Sequence, residues 1–338
     1  MRILKALQKQ PLDRVPYWFM RQAGRYLPEY HQVKGSENFL SLTKNIEKSI
    51  EISLQPHKRF DVDGVIIFAD ILTPLEALGI SIEFRETIGP VVQFDIFHPE
   101  QRQKLKQFDP ENQVAFIKKV IQGIKNYRDS RSPETGIIGF AGAPFTLLSY
   151  LIERKTSKQF ENTKEFMFNF EDLYHEVMMD LTSITISYLN HQIDSGVDVV
   201  QLFDSWGGYL TFDQYHEFVF PYMKKIIDEI KRKIPVILFV GNHAHLTSLL
   251  VELKPSCLSL DWRIERFDDI PDDIAIQGNM DPLILLGKQG RVTHETTKIL
   301  ERFARRKNFI FNLGHGMNPH TPLHNVEAMI ETIRNFRL

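Results

Sequence analysis

Arg21 and Arg25 bracket a glycine in the stretch Met20-Arg21-Gln22-Ala23-Gly24-Arg25-Tyr26, directly after the apolar run Pro16-Tyr17-Trp18-Phe19. Two planar, permanently charged forks four residues apart at the end of a strand-like run suit the oxygens of a carboxylate or phosphate. The competing explanation is a pair of surface arginines bonded only to water. A second candidate closes Val65-Ile66-Ile67-Phe68-Ala69-Asp70. Thr73 is expected to cap the following helix, with Pro74 at its first position and Glu76 returning to the cap. That leaves Asp70 as a carboxylate at the end of a buried strand with no structural duty, and burying it unpartnered costs several kcal/mol.

The same reasoning frees Ser205, because Thr211 to Gln214 can cap the next helix. It frees His315 as well, because Thr321-Pro322 supplies the next cap and Gly314 and Gly316 allow close backbone approach. Asp281 precedes Pro282 and is assigned to capping. Tyr150 lies within a helical pattern and on the residues alone is a packed helix position. His243 and His245 have metal-ligand spacing, yet no further Asp or His clearly completes such a site, and none is assigned. No phosphate-binding glycine loop is present, so nothing directs attention to nucleotides.

These residues need a scaffold that gathers strand ends. Eight short apolar runs recur between helical patterns: 16–20, 65–70, 137–143, 197–204, 236–241, 257–261, 275–280 and 309–315. Runs without polar alternation imply parallel strands buried on both faces. Eight of them predict an α/β chain forming one (β/α)8 barrel over residues 1–338, with the active site at the C-terminal strand ends. The surplus length fits the long early connections, such as 82–99. After Asp261, Ile264 to Ile270 leaves room for only a short helix, which keeps an open doubly wound sheet as the alternative.

Composition narrows the function classes. With 338 residues, 43% hydrophobic and 25% charged, the chain can build a large core. A net charge of -2 provides no global field for nucleic acid or an anionic membrane. Cys257 is the only cysteine, which excludes a disulfide framework and a multi-cysteine metal site, and a reducing compartment fits. Without an apolar leader or a run of about 20 apolar residues, a cytoplasmic location is expected.

Seven segments, in order along the chain, resemble the uroporphyrinogen decarboxylase family. They are Met20 to Tyr30, Phe68-Ala69-Asp70-Ile71-Leu72, Gly139 to Leu147, Gln201-Leu202-Phe203-Asp204-Ser205, Leu260-Asp261-Trp262, Gln277 to Pro282 and Asn312-Leu313-Gly314-His315-Gly316. The resemblance implies a cofactor-free (β/α)8 barrel, usually a homodimer. Such an enzyme converts the four acetates of uroporphyrinogen III to methyls, giving coproporphyrinogen III. It also implies Asp70 as the carboxylate that stabilises a protonated pyrrole and accepts its N–H groups. Arg21 matches the family arginine proposed as proton donor or carboxylate clamp, and a clamp is favoured because guanidinium is a poor acid. Arg25 becomes its companion, the backbone of Gln22, Ala23 and Gly24 between them lines the same pocket, Tyr150, Ser205 and His315 become ligand contacts, and Lys34 becomes a further basic position. Ala69, Ala141 and the segment Asn242 to His245 depart from the family pattern. Rivals from other classes are a corrinoid-linked methyltransferase with a zinc-bound thiol, which the lone cysteine argues against, and a non-catalytic tetrapyrrole carrier.

Overall fold

The computed structural model describes residues 1–85, 89–303 and 306–337. Seven parallel strands form one curled sheet: β1 (Gly64–Ile66), β4 (Gly136–Gly142), β5 (Val199–Asp204), β6 (Val236–Val240), β7 (Cys257–Ser259), β8 (Ala275–Met280) and β9 (Phe309–Leu313). β2 (Ser81–Arg85) and β3 (Gly89–Gln93) make a separate antiparallel hairpin. In the main sheet each strand pairs with the next in sequence, in the order β1-β4-β5-β6-β7-β8-β9. That order never reverses, so the switch point of an open doubly wound sheet is absent among the described residues. All residues of β4, β6, β8 and β9 are buried, as expected of strands covered on both faces.

Several expected strands are shorter, for identifiable reasons. β1 stops at Ile66 although the apolar run continues to Asp70. The Ser53 hydroxyl accepts the Phe68 N–H (2.9 Å), and the Ser49 hydroxyl donates to the Phe68 carbonyl (2.9 Å). Side chains of the helix Ile46–Phe60 thus take bonds that a neighbouring strand would otherwise make. The segment after Asp261 forms turns as far as β8 rather than the short helix expected there. The hairpin β2–β3 falls in the connection assigned to surplus length.

The run 16–20 contributes a single parallel bridge, Tyr17 to Phe311, rather than a full strand. The Phe311 N–H donates to the Pro16 carbonyl (2.8 Å) and the Trp18 N–H to the Phe311 carbonyl (3.4 Å). On the other flank, the Asp63 N–H donates to the Tyr17 carbonyl (2.9 Å) and the Tyr17 N–H to Asp63 Oδ2 (2.9 Å). Asp63 also takes two bonds from Arg14 (2.7 and 3.0 Å) and one from Arg2 (3.2 Å), with only 3% of its side chain exposed. Removing this carboxylate leaves a largely buried Arg14 and a buried N–H without partners. Asp63→Ala is therefore expected to destabilise the fold by about 3 kcal/mol in chemical denaturation. A loss below about 1 kcal/mol would mean that apolar packing, not the ion pairs, holds this seam.

Candidate active site

Asp70 stands four residues past β1, on the segment stitched to Ser49 and Ser53. Its Oδ1 accepts the Leu72 N–H (2.9 Å), and its own N–H donates to Thr73 Oγ1 (3.2 Å). This tight turn starts the helix at Thr73 with Leu72 as N-cap, so Thr73 is not the cap its sequence suggested. Asp70 consequently has a structural duty after all, but it occupies one oxygen only. Oδ2 accepts no hydrogen bond from the described residues. Asp70 sits in a recess where water still reaches it while protein surrounds it. Burial raises its pKa, the Leu72 N–H and the nearby Arg21 charge opposing that shift only in part.

Arg21 occupies left-handed backbone space (φ 60°), a conformation that costs a non-glycine residue about 1 kcal/mol. The turn is held from both sides. Asn312 Oδ1 accepts the Met20 N–H (3.0 Å), and the Met20 carbonyl accepts the Met317 N–H (2.8 Å). Gln22 is fully buried: its Oε1 accepts the Phe19 N–H (3.0 Å) and its Nε2 donates to the Gly64 carbonyl (2.9 Å). Its amide is thereby spent on structure, and only backbone remains for a ligand, alongside the partly exposed Ala23 and Gly24. Below Met20 lies a buried polar network. The Trp18 indole N–H donates to Gln277 Oε1 (2.8 Å), Gln277 Nε2 donates to Gln201 Oε1 (3.0 Å) and Ser259 Oγ (2.9 Å), and Gln201 Nε2 reaches the Met20 sulfur (3.4 Å). Every member is paired, which gives the floor of the site one arrangement.

The Arg21 side chain lies across Gly316, where an added Cβ would come within 2.4 Å of Arg21 Cδ. Glycine at 316 is therefore a matter of space. Arg21 and Arg25 are both exposed, and among the described residues neither guanidinium has a carboxylate partner. Two such forks have the geometry to take carboxylate or phosphate oxygens. Lys34 is half-buried at the end of the helix Pro28–Lys34, on the segment after Arg25.

The Arg21 charge also acts on two residues distant in sequence. Tyr150, half-buried on the helix Pro144–Glu153, has its hydroxyl pushed up to about 12, chiefly by burial and then by Asp70, with Arg21 and the Trp206 indole opposing. It remains a hydrogen-bond donor at neutral pH. The His315 ring has an open surface but a crowded surround; burial first and the Arg21 charge second lower its pKa, so it is neutral at pH 7. It packs edge-on to Phe239 with ring centroids 6.0 Å apart. Asp70, Arg21, Tyr150 and His315 thus form one electrostatic group.

Ser205 follows β5 directly and is half-buried. Its loop is fixed by the fully buried Asp204. Asp204 Oδ1 accepts from Thr146 Oγ1 (2.8 Å) and the Gly207 N–H (3.1 Å), and Oδ2 accepts from the Tyr215 hydroxyl (3.3 Å). Burial raises the Asp204 pKa to about 6. The loop carries Trp206, whose ring stands edge-on to Tyr150 at 6.1 Å. Sequence inspection passed over both residues. Asp204 ends an apolar run just as Asp70 does, and that signal was available, whereas nothing in the sequence pairs Trp206 with Tyr150.

The other expectations divide. Thr211 caps its helix through a complete capping box with Gln214, and Asp281 Oδ1 accepts the Leu283 N–H (2.9 Å) in a capping role. Thr321 does not cap: Pro322 is the N-cap of the last helix, and the Thr321 hydroxyl is buried without a partner. The two histidines of the loop after β6 bond backbone carbonyls, His243 Nδ1 to Val240 (2.5 Å) and His245 Nε2 to Leu210 (2.7 Å). A cavity of about 620 Å³, lined by Phe94, Phe97, Leu151, Phe166 and Phe170 among others, includes none of the candidate residues. This cavity is apart from the candidate residues, which are linked instead by the Arg21 charge acting on Asp70, Tyr150 and His315.

The family model described as "Uroporphyrinogen decarboxylase (URO-D)" matches residues 1–336. A uroporphyrinogen decarboxylase of Aquifex aeolicus is 40% identical, covering 99% of this chain and 98% of the relative. Those of Thermodesulfovibrio yellowstonii (40%, covering 99% and 97%) and Coxiella burnetii (37%, covering 100% and 95%) match similarly. Among solved structures, a methyltransferase from Methanosarcina mazei superposes with a TM-score of 0.81 at 20% identity, covering 99% and 98% of the two chains, which is a likeness of fold. With a family match over nearly its whole length and relatives at 37–40% identity, the chain belongs to the uroporphyrinogen decarboxylase family.

Proposed function

We propose that this chain removes carbon dioxide from the four acetate side chains of uroporphyrinogen III, yielding coproporphyrinogen III, with Asp70 and Arg21 as its chemical centre. The observation that carries this is Asp70: a carboxylate in a recess, with one oxygen uncommitted and an unpaired arginine beside it. An acetate on a pyrrole holds its carboxylate until the ring can accept the departing electron pair. Protonating the adjacent ring carbon creates a cation. The bond to the carboxylate carbon then breaks, its electrons form an exocyclic double bond, and carbon dioxide leaves. A proton adds to the methylene carbon and the ring proton departs, so each acetate becomes a methyl with net uptake of one proton. Asp70 stabilises the cationic ring, and its free oxygen accepts from the pyrrole N–H groups. The same electrostatics make the carboxylate more readily ionised with substrate than without it.

Arg21 and Arg25 clamp the substrate's carboxylates, and Tyr150, Ser205 and a neutral His315 offer hydrogen bonds. The proton reaches the ring through water or the substrate, since a guanidinium is a poor acid. A zinc–thiol methyltransferase is disfavoured by Cys257, which lies inside β7 with burial raising its thiol pKa. The hydrogen bonds on both flanks of 16–20 support this run as an eighth, abbreviated strand closing a single (β/α)8 domain over residues 1–338. Family resemblance adds a homodimer working in the cytoplasm. The deciding experiment is anaerobic incubation with uroporphyrinogen III, followed by oxidation and chromatography of the porphyrins. Stepwise loss of carboxyl groups down to the tetracarboxylate is expected. No loss, where a uroporphyrinogen decarboxylase run in parallel is active, would refute the assignment.

A further inference from the structure

We infer that Arg263, on the loop after β7, is a preorganised third carboxylate clamp at the rim of this site and sets affinity for the substrate's periphery; the inference rests on the function proposed above. Asp261 is 1% exposed, and both its oxygens accept from Arg263 Nη1 at 3.0 Å. Its carboxylate also takes the backbone N–H groups of Asn242 (3.0 Å) and Arg263 (3.0 Å). The guanidinium carbon lies 4.2 Å from the centre of the Trp262 ring. One edge of the fork is thereby tied to a buried anion and its face is laid on an indole. Nε and Nη2 make no hydrogen bond with the described residues, so three of the five N–H donors remain for a ligand.

The loop that carries this fork is fixed in place. Asn279 Nδ2 donates to the carbonyls of Asp261 (3.1 Å) and Ile264 (2.8 Å). Gly314 packs so closely that an added Cβ would come within 2.2 Å of the Trp262 backbone nitrogen. Gly314 immediately precedes His315, whose ring feels the charges of both Arg21 and Arg263. The Arg263 loop therefore packs against the segment that carries His315 and presents a third fork in addition to Arg21 and Arg25. An ordinary surface arginine would spend side-chain entropy to meet a carboxylate; this one is already ordered by the ion pair and the indole. Its ligand class is a peripheral carboxylate of the tetrapyrrole, propionate or acetate.

Arg263→Gln and Arg263→Lys are compared with the unmodified enzyme under anaerobic turnover of uroporphyrinogen III at two salt concentrations, with melting temperatures measured in parallel. For Arg263→Gln, KM is expected to rise about three- to tenfold with kcat within twofold, and the wild-type advantage to shrink at high salt. Arg263→Lys keeps the charge opposite Asp261 but loses the fork, so an intermediate KM is expected, and it decides the matter should the glutamine variant fail to fold. Repeating the comparison with the pentacarboxylate intermediate distinguishes the two carboxylate sources. An equal KM effect assigns a propionate, and a smaller one assigns an acetate. Wild-type KM in every folded variant would overturn the inference while leaving the proposed function intact. Absence of decarboxylation by the unmodified enzyme would refute that function instead.

Discussion

Asp70→Asn is expected to lower the decarboxylation rate by about 10³-fold, the scale seen when a preorganised electrostatic contact to developing charge is removed, while leaving the fold at least as stable as before. The two effects have one origin. Asparagine is the same shape and its Oδ1 can still accept the Leu72 N–H, so the turn into the helix Thr73–Ala77 survives. What disappears is a charge that the empty site opposes. Because burial raises the folded-state pKa of Asp70 above its unfolded value, the folded chain holds this proton more tightly than the unfolded one. The group therefore favours folding below the ordinary carboxylate range. That contribution is lost as pH rises through the raised folded-state value, and at neutral pH the ionised side chain is a net liability. Activity has the opposite dependence, since it requires the carboxylate and falls as pH drops through the same window. The asparagine variant should melt at or above the wild-type temperature at pH 7 and lose that advantage in acid. A near-normal rate at saturating substrate would remove Asp70 from the chemistry. A large drop in melting temperature at pH 7 would assign it to the turn instead.

Much of this site could be read from residue types at strand ends, because a polar residue ending a buried run must be explained by a cap, a partner or a ligand. That logic singled out Asp70, Ser205 and His315, although for two of them the expected cap is not the one formed: Thr73 bonds backwards to the Asp70 N–H instead of forwards to the helix, and Pro322 rather than Thr321 is the N-cap of the last helix. β8 has the extent its sequence suggests, since Ala275 to Met280 is apolar or amide throughout and is bounded by polar turns. The hairpin was legible too, as alternation of Ile80, Ile82 and Phe84 with polar neighbours, but it lay inside a stretch treated as surplus. What sequence could not supply is juxtaposition. The contact of Trp206 with Tyr150, the keystone role of Asp204 and the tethering of Arg263 to Asp261 each depend on how loops from different strands meet.

Arg21→Lys is expected to reduce kcat/KM by about 10²-fold, and it separates the charge of the side chain from its shape. An ammonium keeps the positive charge beside Asp70, Tyr150 and His315, so the directions in which Arg21 shifts their pKa values should persist. Lysine lacks the planar fork that binds a carboxylate through two parallel bonds, and it does not hold its charge in one plane against Gly316. Lysine and glutamine also share the left-handed backbone penalty at position 21, so comparing these variants cancels that cost. Arg21→Gln is the complementary change. Without the charge, the pKa of His315 should rise towards that of an ordinary histidine and the pKa of Asp70 should rise further, moving the acid limb of the activity profile to higher pH. NMR titration of His315 and pH–rate profiles of the two variants measure both effects. If Arg21 acts as a shaped clamp, lysine loses rate with little movement of the profile and glutamine loses rate and moves it. Full activity in the lysine variant would mean that any cation suffices at this position, and the bidentate clamp would have to be abandoned.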